Sequence, residues 1–226
     1  MLVRALRDFF FPAHCLICNG AIDDGLVCDD CLDLVVEIGP PLCPRCGRPT
    51  KKDRRCRRCK DQSLDRVRGW GYYQPPLDKI IHQFKYDDRR SIARLLGRKV
   101  STVIRSDPEY REIDLIIPIP LHKRREKERG YNQSELLAQE LGRELHLPVE
   151  RGLVRIRNNR SQTGLTDQER KENVRGIFRL DSEIEGLNIL LVDDVMTTGS
   201  TIEEAASVIK AAGAKAALGA VAAIAP

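Results

Sequence analysis

Along the last two thirds of the chain, apolar residues follow two rhythms that take turns. Short uninterrupted runs, IDLIIPIP, NILLVDDV and LGAVAAIA, alternate with longer segments in which apolar positions recur every three or four residues. A short continuous apolar run predicts a strand buried on both faces, and the 3.6-residue spacing predicts a helix with one face on a core. RVRGWGYYQ reads as a strand leading into a helix over PPLDKIIHQFKY, whose Leu77, Ile80, Ile81 and Phe84 keep helical spacing. SIARLLGRKVSTVI continues as helix, and NQSELLAQELGREL is amphipathic with Leu136, Leu137, Leu141 and Leu145. LVRIR and GIFRL are further strand candidates, and STIEEAASVIKAAGA reads as a helix ending near Gly213. Strands separated by helices predict an α/β fold with a mostly parallel sheet covered on both faces. In such sheets ligands bind outside the carboxyl ends of the strands.

The first sixty residues lack this rhythm, apart from a short amphipathic helix expected from Leu2, Leu6 and Phe9 or Phe10. The change of composition places a boundary near Gln62, dividing a small domain, 1–62, from a larger one, 63–226. A chain of 226 residues accommodates both, at roughly 100 to 200 residues per domain. Apolar and charged fractions of 42% and 31% suit a soluble globular protein. No apolar run approaches the roughly 18 residues that would predict a membrane span. Arg4, Arg7 and Asp8 interrupt the N-terminal apolar stretch, so a secretory signal is not expected and the cytoplasm is the expected location. The net charge of +5 does not by itself imply an anionic partner.

All eight cysteines lie in the first 59 residues, and every one belongs to a CxxC pair: Cys15 and Cys18, Cys28 and Cys31, Cys43 and Cys46, Cys56 and Cys59. Nine residues separate the first pair from the second, and nine the third from the fourth. Each such unit supplies four thiolates from two tight turns, the ligand set of a tetrahedral structural Zn2+. A disulfide framework is the alternative, but it belongs to oxidising compartments. Pairing within each unit is the simplest arrangement, and interleaved pairing stays open. Four cysteine ligands leave no open coordination position, so both sites read as structural. The units differ in charge: Cys15 to Pro40 has six acids and no Lys or Arg, whereas Cys43 to Lys60 has nine Lys or Arg and one acid. KKDRRCRRCK is able to grip nucleic-acid phosphates, or else offsets the charge of the thiolates and solvates a surface. No aromatic residues are interleaved there as stacking platforms.

The segment VDDVMTTGST carries the clearest chemistry. Asn188 to Val192 are expected to form a strand with Asp193 and Asp194 at its carboxyl end, and Thr197 to Thr201 to turn the chain into a helix. Backbone N–H groups at that helix start, the hydroxyls of Thr197, Thr198, Ser200 and Thr201, and the close approach permitted at Gly199 make a cradle for one phosphate. Carboxylates beside a phosphate suit the vicinal hydroxyls of the sugar that bears it. A ribose 5-phosphate unit satisfies both requirements.

This segment resembles the phosphoribosyl pyrophosphate signature of type I phosphoribosyltransferases, an apolar strand, two acids, a variable pair and TTGxT. The wider order of CxxC repeats, FKYDDR, IIPIPLHKRREKERGYNQS, RNNRSQTGLTDQERKENVRGIF and LLVDDVMTTGST resembles the ComF family over nearly the whole chain. That family is a branch of phosphoribosyltransferase-like proteins linked in bacteria to competence and use of incoming DNA. The resemblance implies a type I phosphoribosyltransferase-like sheet preceded by a double zinc ribbon. It implies that Asp193 and Asp194 contact the ribose hydroxyls while residues 197 to 201 hold the 5-phosphate of phosphoribosyl pyrophosphate, with Mg2+ accompanying that ligand. PLHKRREKERGYNQ follows a strand end and carries Lys123, Arg124, Arg125, Lys127 and Arg129, a set suited to pyrophosphate, and by position it matches the pyrophosphate loop, with Lys123, Arg124 and Arg125 foremost as contacts; the alternative is a solvated basic loop balanced by Glu126 and Glu128. RNNRSQTGLTDQER matches the mobile loop over the substrate, with Arg160, Gln162 and Arg170 as candidate contacts. An acceptor-binding hood would have to come from residues before about Leu115, such as the WGYYQ strand and the ribbons. Two functions follow: transfer of a phosphoribosyl group with release of pyrophosphate, or a non-catalytic role in binding single-stranded DNA or assembling with other competence proteins. His82, Trp70, Tyr72 and Tyr73 read as packing residues.

Overall fold

The computed structural model describes residues 13–52, 54–57, 59, 63–157 and 175–226. The expected N-terminal helix and the segment holding Arg160, Gln162 and Arg170 lie outside the described residues.

The centre of the molecule is a four-stranded parallel sheet in the order β3-β8-β7-β4, formed by β3 (Arg66–Tyr72), β4 (Leu115–Pro118), β7 (Asn188–Met196) and β8 (Ala216–Ile224). Side chains alternate between its two faces. Trp70, Ile116, Leu190, Val192 and Ala220 enter one apolar cluster, while Val67, Ile117, Ile189, Leu191 and Val221 enter the other. Both faces are therefore dry, which is why these strands read as unbroken apolar runs. The first face is covered by α2 (Leu77–Tyr86), α3 (Ile92–Ser106) and α5 (Gln133–Leu145). In α2, Leu77, Ile80, Ile81 and Phe84 are all fully buried, a gain of about 1.5–3 kcal/mol each. The second face is covered by α6 (Ser200–Ala211) through Ile202, Ala205, Ala206 and Ile209. β5 (Leu153–Arg155) and β6 (Phe178–Leu180) form a separate antiparallel pair.

The cysteine-rich part contributes two short strands, β1 (Ala13–His14) and β2 (Ala21–Ile22), and one helical turn and a half, α1 (Asp29–Asp33). It is packed against the sheet. Residues 36 to 38 run antiparallel to the free edge of β3: the N–H of Tyr72 donates to the carbonyl of Val36 at 3.0 Å and that of Ile38 to the carbonyl of Trp70 at 2.9 Å. The Trp70 indole N–H donates to Glu37 Oε1 at 2.8 Å. An edge that would offer itself for pairing is thus covered by the chain's own first part. Trp70 is 2% exposed and packs as expected, and the WGYYQ strand is part of the central sheet, not of a hood over it.

Two further expectations change. The strand that was to end at Val192 runs to Met196, because β8 supplies partners throughout: Asp193 faces Val221, Val195 faces Ala223 and Met196 faces Ile224. Both acids therefore stand in the last residues of β7, held by its ladder. The basic segment after β4 is a helix, α4 (Lys123–Arg129), rather than a loop. Its residues carry high helix propensity but no apolar face. His122 Nδ1 caps it by accepting from the Arg124 N–H at 3.3 Å, and Gly130 ends it at φ +81° with its N–H donating to the Glu126 carbonyl at 2.7 Å. Among the described residues, no helix is long and apolar enough to cross a membrane.

Candidate functional site

An open cleft of about 710 Å³ lies at the carboxyl ends of β4 and β7, and both acids of VDDVMTTGST line it. Asp193 is half-buried and Asp194 buried. The Ser134 hydroxyl donates to Asp193 Oδ1 at 2.7 Å, and the Asp194 N–H donates to the same oxygen at 2.9 Å. Ser134 is held in place by Asn132, the residue before α5. Its Oδ1 accepts from the Ser134 N–H at 3.1 Å, and its Nδ2 donates to the Ile119 carbonyl at the end of β4 at 3.0 Å. From α2, Lys85 Nζ reaches to 2.7 Å from Asp194 Oδ2.

Burial and the neighbouring Asp194 charge push the Asp193 carboxyl up to about 7, against the opposing pull of Ser134 and Lys85. For Lys85 burial works downward, but the Asp194 carboxylate outweighs it and the ammonium titrates above its ordinary range. The floor of the cleft is thus an acid pair matched to one permanent cation. Asp193 Oδ2 and Asp194 Oδ1 are outside these contacts, one oxygen of each carboxylate.

The next residues form the strand-to-helix turn in which a phosphate cradle is expected. Gly199 takes φ +86°, the left-handed conformation that turns the chain into α6, and Ser200 opens the helix. Thr198 Oγ1 and Ser200 Oγ are 2.8 Å apart, and the Ser200 N–H donates to Thr198 Oγ1 at 3.3 Å. The first-turn N–H groups of a helix have no intrahelical acceptor and carry the positive end of its dipole. Glu203, the acid of that turn, is directed away to the backbone N–H groups of Ser63 and Leu64. All five residues from Thr197 to Thr201 line the cleft.

The cleft is also lined by cations, with the acids Asp88 and Glu128 among them. Arg125 and Arg129 on α4 and Arg155 at the end of β5 line the same cleft. Burial and then the Arg125 charge lower the Arg155 guanidinium from its ordinary value, while Asp193 acts in the other direction. Arg129 lies over the Tyr86 ring at 5.0 Å. Of the five basic residues expected here, Arg125 and Arg129 line the cleft, and Lys127 is exposed and outside its lining. Lys123 and Arg124 are exposed and outside its lining, and Arg124 Nε pairs instead with Glu128 Oε1 at 2.8 Å, one turn on. Lys85, Ser134, Arg155 and Tyr73 were not singled out for this site from sequence; Lys85 lies in FKYDDR and Ser134 in GYNQS, two of the segments that carried the resemblance.

The cysteines form two separate tetrads, 15/18/28/31 and 43/46/56/59, in each of which the sulfur atoms lie within 4.8 Å of one another. This is the sequential pairing. The Cys18–Cys28 and Cys43–Cys59 sulfur separations are both 3.8 Å and that of Cys46–Cys56 is 3.6 Å. A tetrahedron with Zn–S bonds of about 2.3 Å has edges of about 3.8 Å, whereas a disulfide needs about 2.05 Å. All eight are free thiols. Within each tetrad backbone N–H groups point at the first sulfur: Ile17 and Cys28 donate to Cys15 at 3.4 Å, and Cys56 to Cys43 at 3.3 Å. Burial opposes ionisation of Cys15 and Cys43, but these donors prevail and bring each to about 6. The donor set, spacing and hydrogen bonding fit two closed structural zinc sites.

DNA utilization protein YhgH of Escherichia coli K12 is 35% identical to this chain over 214 residues, 91% of this chain and 94% of that protein. The competence protein F of Haemophilus influenzae is 33% identical over 217 residues, covering 90% and 93%. The chain belongs to the ComF family. A further ComF relative, competence protein ComFC of Bacillus subtilis, is 34% identical over 192 residues, 81% of this chain and 77% of that protein. The model of the double zinc ribbon domain matches residues 6–60, and that of the phosphoribosyl transferase domain matches residues 131–225. In ComF terms, both tetrads fall within the first match, and Ser134, Asp193, Asp194 and the TTGST cradle fall within the second. Lys85 and Arg125 lie between the two matches.

Proposed function

We propose that the cleft binds phosphoribosyl pyrophosphate and that the protein is a phosphoribosyltransferase-type member of the competence and DNA-utilisation machinery of the cytoplasm. One observation carries this reading: an acid pair with one oxygen of each carboxylate unbonded among the described residues is followed within three residues by an acid-free turn suited to a phosphate, and both line one cleft. The free carboxylate oxygens accept from the ribose hydroxyls, and residues 197 to 201 hold the 5-phosphate. Arg125, Arg129 and Arg155 take the pyrophosphate. The remaining oxygens of the acid pair are engaged by Ser134 and Lys85, so Mg2+ would be held by the pyrophosphate and its waters rather than by a protein carboxylate cage. Loss of pyrophosphate leaves positive charge on the sugar ring, which the carboxylates stabilise electrostatically.

A calorimetric titration of the zinc-loaded protein with phosphoribosyl pyrophosphate and Mg2+ tests this. Saturable binding is expected, and its loss in the Asp193→Asn/Asp194→Asn double variant. Undiminished binding in that variant would remove the acid pair from the site.

A second reading concerns DNA. Lys51, Lys52, Arg54, Arg55 and Arg57 are all exposed on the second zinc unit, and several relatives carry DNA utilization in their names. This cluster would hold the backbone of single-stranded DNA. Replacing Arg54, Arg55 and Arg57 by Gln is expected to weaken binding and to make log K fall less steeply with log salt, by about 0.7 per lost phosphate contact. An unchanged slope would place the DNA elsewhere.

A further inference from the structure

The second zinc unit touches the phosphate cradle. Arg48 stands in the turn CPRCGRP, where the Cys43 N–H donates to the Arg48 carbonyl at 2.7 Å and the Gly47 N–H to the Cys43 carbonyl at 3.1 Å. Gly47 adopts φ +67°, and a Cβ there would lie 2.7 Å from the carbonyl oxygen of Val67, so the turn is seated directly on β3. From this seat the Arg48 side chain, 9% exposed, extends away from the unit and Nη2 donates to the carbonyl of Thr197, the first residue of the cradle. The other end of the cradle is tied to the same neighbourhood. Glu203 of α6 accepts from the N–H groups of Ser63 and Leu64, and the Leu64 carbonyl accepts from Arg45 Nε at 2.6 Å, within the same CxxC turn. A void of about 30 Å³ separates Cys46, Cys59 and Arg48 from Thr198 and Gly199. Arg48 Nε is buried beside it without a hydrogen-bond partner among the described residues.

A guanidinium that served only to pack the unit on the sheet would be expected to satisfy its buried donors. Among the described residues this one leaves Nε unpaired while spending Nη2 on a backbone carbonyl 149 residues away. The first zinc unit makes a different connection: its Leu16 carbonyl accepts from Gln83 of α2 at 2.9 Å.

We propose that Arg48 is a positioning residue through which zinc in the second tetrad holds the Thr197–Thr201 cradle in its anion-accepting shape. The inference rests on the sugar-phosphate reading of the cleft and adds a regulator to it, the occupancy of one zinc site. Without the metal, the four thiols of the second tetrad have no common centre, and the backbone of the 43–48 turn that aims Arg48 is no longer fixed. Coupling between two sites is reciprocal, so a ligand in the cradle must strengthen zinc retention by the factor by which zinc strengthens the ligand.

The test measures the equilibrium partition of zinc between the full chain and a chromogenic chelator, with and without saturating ribose 5-phosphate, a ligand that lacks the pyrophosphate able to bind zinc itself. One of the two zinc equivalents is expected to be held at least about fivefold more tightly with ligand present. In Cys18→Ser, which weakens the first tetrad at its exposed cysteine, the ligand-responsive equivalent should remain. In Arg48→Ala the ligand should bind correspondingly more weakly, and zinc affinity should no longer respond to it. Were Arg48 merely structural, its replacement would weaken zinc binding by one factor with and without ligand and leave the ligand response intact. Binding of ribose 5-phosphate with no effect on either zinc, a response that disappears in Cys18→Ser, or full ligand response in Arg48→Ala would each overturn the proposal. Failure of the wild-type protein to bind the sugar phosphate would overturn the reading of the cleft, and this inference with it.

Discussion

At the scale of single residues, the acid pair makes a prediction with a definite sign. Asp193 is pushed from the ordinary 3.8 to about 7 by burial and by Asp194. A carboxyl whose folded value is raised binds its proton more tightly in the folded state, so its contribution to stability is fully present below pH 4 and is lost as pH rises toward 7. Asp193→Asn, which cannot ionise, should therefore stabilise the protein more at pH 8 than at pH 4, as read from urea midpoints. Ligand binding should run the other way. Ribose hydroxyls donate better to the ionised carboxylate, so affinity for ribose 5-phosphate should rise from pH 6 to pH 8 in the wild type. The Asn variant should retain only the smaller rise due to the ligand's own phosphate. Equal profiles in the two proteins would show that Asp193 does not meet the sugar. The placement of the two acids and of the turn after them was legible in the sequence because the segment is contiguous, ten residues from Val192 to Thr201. Ser134, Lys85 and Arg48 were not, because each acts across a gap in sequence that leaves no local pattern. Ser134 bonds to a residue 59 positions away and Arg48 to one 149 away.

At the scale of elements, periodicity recovered those whose stability comes from burying a face. NILLVDDV, DKIIHQFKY and LGAVAAIA are of this kind, and each forms the expected strand or helix. The KRREKER segment has no apolar residue and so no period to read. Its helix follows from propensity, the His122 cap and the Gly130 stop, and that geometry separates residues that a loop would treat alike. Arg125 and Arg129, four apart, share the face that lines the cleft, whereas Arg124 lies outside that lining and is paired with Glu128. Arg125→Ala should accordingly weaken phosphoribosyl pyrophosphate by roughly 10- to 100-fold, the loss of a charge-assisted hydrogen bond of about 1.5–3 kcal/mol. Arg124→Ala should leave affinity unchanged and cost at most about 0.5 kcal/mol of stability through its exposed ion pair. Titrating both variants beside the wild type checks this; equal losses would mean that α4 presents only a diffuse positive field.

At the scale of the whole molecule, the sequence showed two parts with different chemistry but not how they fit together. The cysteine spacing states that four sulfurs meet; nothing in it states that Cys43, Cys46 and Cys59 enter the same apolar cluster as Met196, Ile202 and Ile224. The two tetrads are unequally embedded. In the second, three cysteines are buried and Cys56 is half-buried, whereas in the first Cys18 is exposed and Cys28 half-buried. Zinc held in the second tetrad would therefore do two jobs, closing its own small unit and completing the core beneath β3, β7 and β8. Cys46→Ser should lower Tm by about 10 °C or more, since roughly 2–4 °C accompanies each kcal/mol in a protein of this size. Cys18→Ser, at the exposed corner of the other site, should lower it by much less. Thermal unfolding followed together with zinc content would separate these cases. If each variant has lost one zinc and the two melt alike, the second tetrad is only an appendage to the sheet. A large difference would show that the metal is part of what holds the cradle-bearing face of the sheet together.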